Sequence, residues 1–345
     1  MWPLALLVAM DFTPPETEVR FGQPHLAAGN GIVALTFGAG RPGRAVYFSA
    51  SRDQGRTFST PVVVGVGARI AIGGHRGPRI AVADSGIVIA AAVGKGPIDK
   101  DLIAWRSVDG GSSWSQGIRL NGIRQTAGEG YHGLAAQGNL VFAVWLDVRR
   151  RATRVFGARS ADGGATWSAD QLIYDSPDGH VCECCHPSVH IAPDGRILVM
   201  WRNWLDGARD MYLATSTDGG NTFRAEKLGR GSWPLHACPQ DGGGVVQGDG
   251  GQPVTVWRRD KMVFLARPGE PEQEIGRGTD PAIVIGARGK LYVAWRSPDG
   301  LVVKVDEGAP RMLDPDGRFP AMTTIGSDVV AAWENGNKTV VRRIP

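Results

Sequence analysis

The residues best equipped for chemistry in this 345-residue chain are its four cysteines and seven histidines. All four cysteines fall in two short segments, His180-Val-Cys182-Glu-Cys184-Cys185-His186-Pro187 and Trp233-Pro-Leu-His236-Ala-Cys238-Pro239. Thiolates together with imidazoles suit a soft or borderline ion. Cys182, Cys184, Cys185, His186, His236 and Cys238 are therefore candidate ligands for copper(I) or zinc. An even cysteine count in an exported chain equally permits two disulfides, one within the first segment and one reaching Cys238. Cys182, Cys185 and His186 also fit the C-x-x-C-H spacing of c-type haem attachment, although a porphyrin needs an open segment and a distal ligand. A catalytic thiol is the fourth alternative. Sulfur geometry separates them, because a disulfide fixes its two cysteines within a narrow range of separations.

These segments sit inside a longer repeat. Ser51-Arg-Asp53-Gln-Gly55-Arg-Thr57-Phe58 returns as Ser107-Val-Asp109-Gly-Gly111-Ser-Ser113-Trp114 and as Ser160-Ala-Asp162-Gly-Gly164-Ala-Thr166-Trp167. It returns again as Ser216-Thr-Asp218-Gly-Gly220-Asn-Thr222-Phe223, so the aspartates lie 56, 53 and 56 residues apart. An Asp side chain can accept hydrogen bonds from the N–H groups of its own turn. The Gly that follows permits positive φ, and the closing aromatic can pack between sheets. Such roles are structural, not catalytic. Apolar, β-branched runs ending in Trp recur between and beyond the boxes, at residues 141–145, 197–201, 254–257, 291–295 and 329–333. They read as strands buried on both faces.

The pattern S-x-D-x-G-x-[TS]-[WF] resembles the Asp-box, or BNR, repeat of sialidase-like β-propellers. The resemblance implies an all-β fold of four-stranded antiparallel blades, with the boxes on one face and the active face opposite. Innermost strands are expected to begin near Pro24, Pro78, Gly133, Pro187, Pro239, Pro281 and Pro320. That gives seven blades, with six, the number in the family's sialidases, as the alternative. The last unit has room for three strands, and residues 17–21 are expected to supply the fourth. Asp306-Glu-Gly308 reads as the remnant of a box.

In such a propeller the residues entering each innermost strand ring the channel mouth. Here they include Gln23, His25, His75, Arg76, Tyr131, His132, Asp280 and Arg318, besides the cysteine segments. Arg202, Arg258 and Arg296, at the ends of second strands, open on the same face. Guanidinium pairs bidentately with carboxylate, so Arg76, Tyr131, His132, Arg202, Arg258 and Arg296 are candidates for an anionic ligand. The resemblance implies three carboxylate-binding arginines, a Tyr nucleophile paired with a Glu, and an Asp acid/base. The first arginine belongs to an Arg-Ile-Pro motif, where this chain reads Arg20-Phe-Gly-Gln23-Pro24.

Charged residues at 21% and hydrophobic residues at 42% exclude a disordered chain, and 49 Gly with 22 Pro fit many short strands and turns. The net charge of +4 is scattered, apart from the run 149–151, which excludes a nucleic-acid stripe. No stretch spans a bilayer. Residues 1–16 are expected to be the remnant of a signal peptide or an N-terminal extension, and 17–345 a single propeller domain. The expected protein is monomeric and periplasmic or secreted, without sialidase activity. Its Cys/His cluster binds a soft metal or is disulfide-bonded. The partner classes are a small-molecule, glycan or metal ligand, or a protein. The alternatives are an exo-acting glycosidase on sialic-acid-like sugars and a protein-interaction scaffold.

Overall fold

The computed structural model describes residues 10–12, 21–40, 43–66, 69–149 and 152–344. They form a β-propeller of seven sheets, each of four antiparallel strands, so the count is seven rather than six. The innermost strands are Phe21–Gly29, Arg79–Ala83, His132–Gln137, Ser188–Ile191, Gly243–Gln247, Thr279–Ile285 and Arg318–Ile325. They belong to blades 1 to 7 in that order. Only the fifth starts well after its expected Pro239, because the chain first turns to place Asp241 at the mouth.

The second strands form the blade cores. Every residue of Ile197–Arg202 is buried, as are Val141, Phe142, Ala143, Val144 and Trp145. A sheet packed between two others has no solvent face, so polar alternation disappears. Two of the indoles find carboxylate partners, Trp333 Nε1 donating to Asp314 at 2.7 Å and Trp145 Nε1 to Asp147 at 3.1 Å, whereas Trp201 Nε1 is buried without one.

Ring closure differs from the expectation. The fourth strand of blade 7 is Met10–Phe12, which pairs with Lys338–Ile344 and sets Met10 opposite Val341. Residues 17–20 lie outside the described residues, as do 1–9 and 13–16 of the expected N-terminal extension. Phe21 opens blade 1 instead, its ring packed 4.9 Å from Phe37 and 5.6 Å from Tyr47. Those aromatic contacts hold it in the innermost strand. Closure by Met10–Phe12 gives the last blade its fourth strand and covers the Lys338–Ile344 edge at Thr339, Val340 and Val341.

The four boxes connect the third and fourth strands of blades 1 to 4. Asp162 Oδ1 accepts the Ser160 hydroxyl at 2.7 Å and the Thr166 N–H at 2.9 Å, and Oδ2 accepts the Thr166 hydroxyl at 2.6 Å. Asp53, Asp109 and Asp218 repeat this pattern. The closing aromatics reach the preceding blade, Trp114 lying 5.2 Å from Phe48 and Phe223 5.7 Å from Phe142. In blade 6 Asp306 occupies the box position, but its carboxylate accepts the Leu291 N–H at 2.8 Å.

The Thr166 hydroxyl and N–H hold the Asp162 carboxyl well below the usual carboxylate range, and the other three boxes behave alike. A depressed folded-state pKa adds stability above the unfolded value, near 4, and that stability is lost as pH falls towards the folded value. Asp162→Asn is expected to lower Tm by about 2 °C at neutral pH and to flatten this acid limb. Thermal unfolding at pH 7 and pH 3 checks it. An unchanged acid limb would count against the role of the box.

Candidate functional site at the channel mouth

The segment around Cys182 is fixed to the end of the second strand of blade 4. Val181 N–H donates to Thr153 O at 2.9 Å and Cys182 N–H to Arg202 O at 3.1 Å. Three sulfurs converge there. Cys182 Sγ lies 3.2 Å from Cys185 Sγ and 3.7 Å from Cys184 Sγ, and all three residues are buried. A disulfide needs about 2.05 Å between sulfurs. All four cysteines are free, which goes against the alternative of two bridges. Cys238 is exposed, with its Sγ 3.8 Å from Glu183 Oε1. Glu183, Cys184 and Cys238 form a second group of ligand atoms within 4.8 Å of one another, so Cys184 belongs to both groups.

Arg209 places a cation against this cluster. Its Nη1 donates to Cys182 Sγ at 2.9 Å, and its guanidinium lies 4.1 Å over the Trp204 ring. Contacts with the Cys184 and Cys185 sulfurs, then the Arg209 and Arg202 charges, pull the Cys182 thiol down to about 3. The contact with Cys182 pushes the Cys184 thiol up, and burial pushes up Cys185. The surroundings thus favour the thiolate at Cys182 and the thiol at Cys184 and Cys185.

The imidazoles do not join it. His186 follows Cys185 directly, yet its ring stacks on His75 at 4.4 Å and 19°, and its Nδ1 accepts the Gly242 N–H at 3.3 Å. His236 is exposed, beside Gly207. Of the haem-pattern residues, Cys182 and Cys185 are therefore enclosed with the thiols while His186 faces the channel.

The candidate arginines bind their own fold. Arg202 donates to Asp241 O at 3.1 Å, Arg209 O at 2.8 Å and Arg258 O at 2.8 Å. Arg258 donates to Asp260 O at 2.6 Å, and Arg296 to Gly317 O at 2.8 Å and Pro315 O at 3.2 Å. Arg76 donates to Gly73 O at 2.9 Å, pairs with Glu129 at 3.3 Å and lies over the Tyr131 ring. Tyr131 is buried, its hydroxyl has no hydrogen-bond partner, and burial raises its pKa. His132 sits between the carbonyls of Gly130 and Ala90, and burial, with the Arg79 charge, lowers its pKa to about 4.

The innermost strands enclose a cavity of about 460 Å³ whose lining includes Gln23, His25, His75, Arg79, His186 and Asp280. His75 Nε2 and Asp280 Oδ1 are 2.6 Å apart, and the Asp280 N–H donates to Asp241 Oδ2 at 3.0 Å. Burial and then the Asp280 charge push the Asp241 carboxyl up to about 6. Burial works against ionisation of Asp280 too, but the His75 hydrogen bond holds it below its ordinary value. Sequence reasoning placed His75 and Asp280 on the ring and missed Asp241 and Arg209. Asp241 had one signal, an acidic residue just ahead of an innermost strand. Arg209 had none.

The BNR repeat-like domain signature matches residues 87–304. No curated protein matches the chain in sequence. Among solved structures, a Dyadobacter fermentans protein of unknown function aligns over 97% of this chain and 98% of its own, with 15% identity and a TM-score of 0.59. A PL25 ulvan lyase aligns over 94% and 93%, with 13% identity and a TM-score of 0.58. A Hadza microbial sialidase aligns over 89% and 73%, with 14% identity and a TM-score of 0.55. These likenesses concern the fold alone. By its boxes, its seven blades and the match over most of its length, the chain belongs to the family of BNR repeat-like domain proteins, the sialidase-like propellers.

Proposed function

We propose that this protein is a BNR propeller without sialidase activity, working as a monomer outside the cytoplasm. Its channel-mouth thiols bind a soft metal ion, copper(I) foremost and zinc as the second choice. The observation that carries the reading is the convergence of the Cys182, Cys184 and Cys185 sulfurs in a buried pocket. Thiolates select copper(I) and zinc over harder cations. An entering ion displaces the protons of Cys184 and Cys185, and the Arg209 cation offsets part of the added negative charge. Copper(I) needs only the three buried sulfurs. Zinc also needs a fourth ligand, which Cys238 or Glu183 can supply. Enclosure of Cys182 and Cys185 favours a bare ion over a porphyrin.

The test is competitive titration of the reduced full chain against a copper(I) chelator, with a parallel zinc titration. One copper(I) per chain is expected. Cys238→Ser should leave copper(I) affinity within about threefold and weaken zinc about tenfold or more. A chain that retains neither metal against the competitor would sink the proposal.

A glycan is the second ligand this face supports. The cavity of about 460 Å³ has polar groups at its mouth, and two structural neighbours are a sialidase and an ulvan lyase. The backbone engagement of Arg202, Arg258 and Arg296 argues against a sialidase-type carboxylate clamp. Release of a fluorogenic aglycone from a sialoside should therefore not rise above background.

A further inference from the structure

Three more ligand atoms converge on this face from three different blades. His75 stands at the entry of blade 2, Asp241 at that of blade 5, and Asp280 in the innermost strand of blade 6. One ligand atom of each lies within 4.8 Å of the others. Two of the three are held in left-handed backbone, His75 at φ 67° and Asp280 at φ 58°. Non-glycine residues rarely adopt this conformation, and it persists only where surrounding contacts impose it.

The His75–Asp280 hydrogen bond at 2.6 Å accounts for two members of the set. It does not account for Asp241. That side chain is 1% exposed, and its Oδ1 has no hydrogen-bond partner. Its Oδ2 accepts the Asp280 N–H at 3.0 Å and pairs with Arg258 Nη1 at 3.7 Å, and neither group reaches Oδ1. Buried carboxylate oxygens are normally paired or coordinate a metal.

We propose that His75, Asp241 and Asp280 bind a divalent first-row cation at the channel mouth, separate from the thiols and with its remaining coordination positions open to the cavity. One imidazole nitrogen with two carboxylates suits zinc, manganese(II) or iron(II), and does not suit copper(I). The cation takes the place of the hydrogen bond between His75 Nε2 and Asp280 Oδ1, and His75 ligates through Nε2 as the neutral ring with its one proton on Nδ1. Two carboxylates then balance its charge, and Asp241 Oδ1 gains the partner it lacks.

Neighbouring residues fix the imidazole that would ligate. The His75 ring lies between the His186 ring, stacked at 4.4 Å, and the Phe319 ring, edge-on at 4.9 Å. His186 is itself held by the Gly242 N–H, in the residue after Asp241. A Cβ at position 242 would fall 2.2 Å from His186 O, so the glycine lets blade 5 approach closely enough to deliver Asp241. Cys185 and His186 are consecutive, which makes this dipeptide the bridge between the thiol pocket and the channel site. A cation with open positions facing a cavity can polarise a bound ligand or activate water.

Manganese(II) separates this proposal from the thiol one, because it favours oxygen and nitrogen ligands over thiolate. Titration of the reduced full chain with manganese(II), followed by loss of the free-ion electron paramagnetic resonance signal, should show one ion bound per chain. His75→Gln and Asp241→Asn should each weaken binding at least tenfold, while Cys184→Ser leaves it unchanged. Circular dichroism establishes that each variant is folded, and His75→Gln alone suffices if Asp241→Asn is not. No bound manganese(II), or equal binding by the folded His75→Gln variant, would overturn the proposal without touching the copper(I) result.

Discussion

Replacing Arg202 with alanine is expected to lower folding stability by about 3–5 kcal/mol, the largest effect of any single change at the channel mouth. Arg202 is 1% exposed. Its guanidinium donates to carbonyls of three separate segments, at Asp241, Arg209 and Arg258, and lies 5.1 Å from the Trp233 ring centroid. Deleting it strands three acceptors, each costing roughly 1–3 kcal/mol if it stays enclosed, and leaves a void that water fills only in part. Lysine should recover little, since an ammonium cannot present donors in the guanidinium's planar fork. Urea unfolding of wild type, Arg202→Ala and Arg202→Lys measures this. A drop below about 1 kcal/mol for alanine would mean that Arg202 is free to bind a ligand, as the sequence suggested.

The second large effect concerns Cys184, the one sulfur common to both groups of thiol-side ligand atoms. Cys184→Ser is expected to weaken copper(I) by more than the roughly 10–100-fold that loss of an outer partner costs, because a direct ligand is removed. It should also abolish the metal-dependent rise in Tm. A ligand at 100 times its dissociation constant stabilises the folded state by about 2.7 kcal/mol, so the rise is measurable. Serine keeps the shape and a hydrogen-bonding group, so the metal-free protein should keep its own Tm within about 2 °C. Scanning calorimetry with and without copper(I) decides. Equal metal-induced shifts in wild type and variant would place the ion elsewhere.

Legibility in the sequence followed the range of the interactions. The bond from the Thr166 hydroxyl to Asp162 spans four residues, and the same contact recurs wherever the S-x-D-x-G-x-[TS] string recurs. The box, its loop position and its structural role were readable for that reason. Blade cores such as Ile197–Arg202 were readable because a sheet covered on both faces admits only apolar runs. Closure by Met10–Phe12 was not readable, since only three residues take part and their partners lie at the far end of the chain.

The channel mouth is the opposite case. From the repeat, the sequence led to the expectation that cysteines, histidines and arginines gather on one face. It did not establish which of them meet. His75 and Asp280 are separated by 205 residues and touch only because the ring closes. Cys185 and His186 are neighbours in the chain, yet one joins the thiols and the other stacks on His75. Arg202 looked free and is saturated by carbonyls, while Asp241 looked ordinary and carries an unpartnered buried oxygen. Local hydrogen bonds and hydrophobic period fixed the blades. Side-chain direction at left-handed strand entries and contacts between distant blades, which exist only in the closed ring, decided the site.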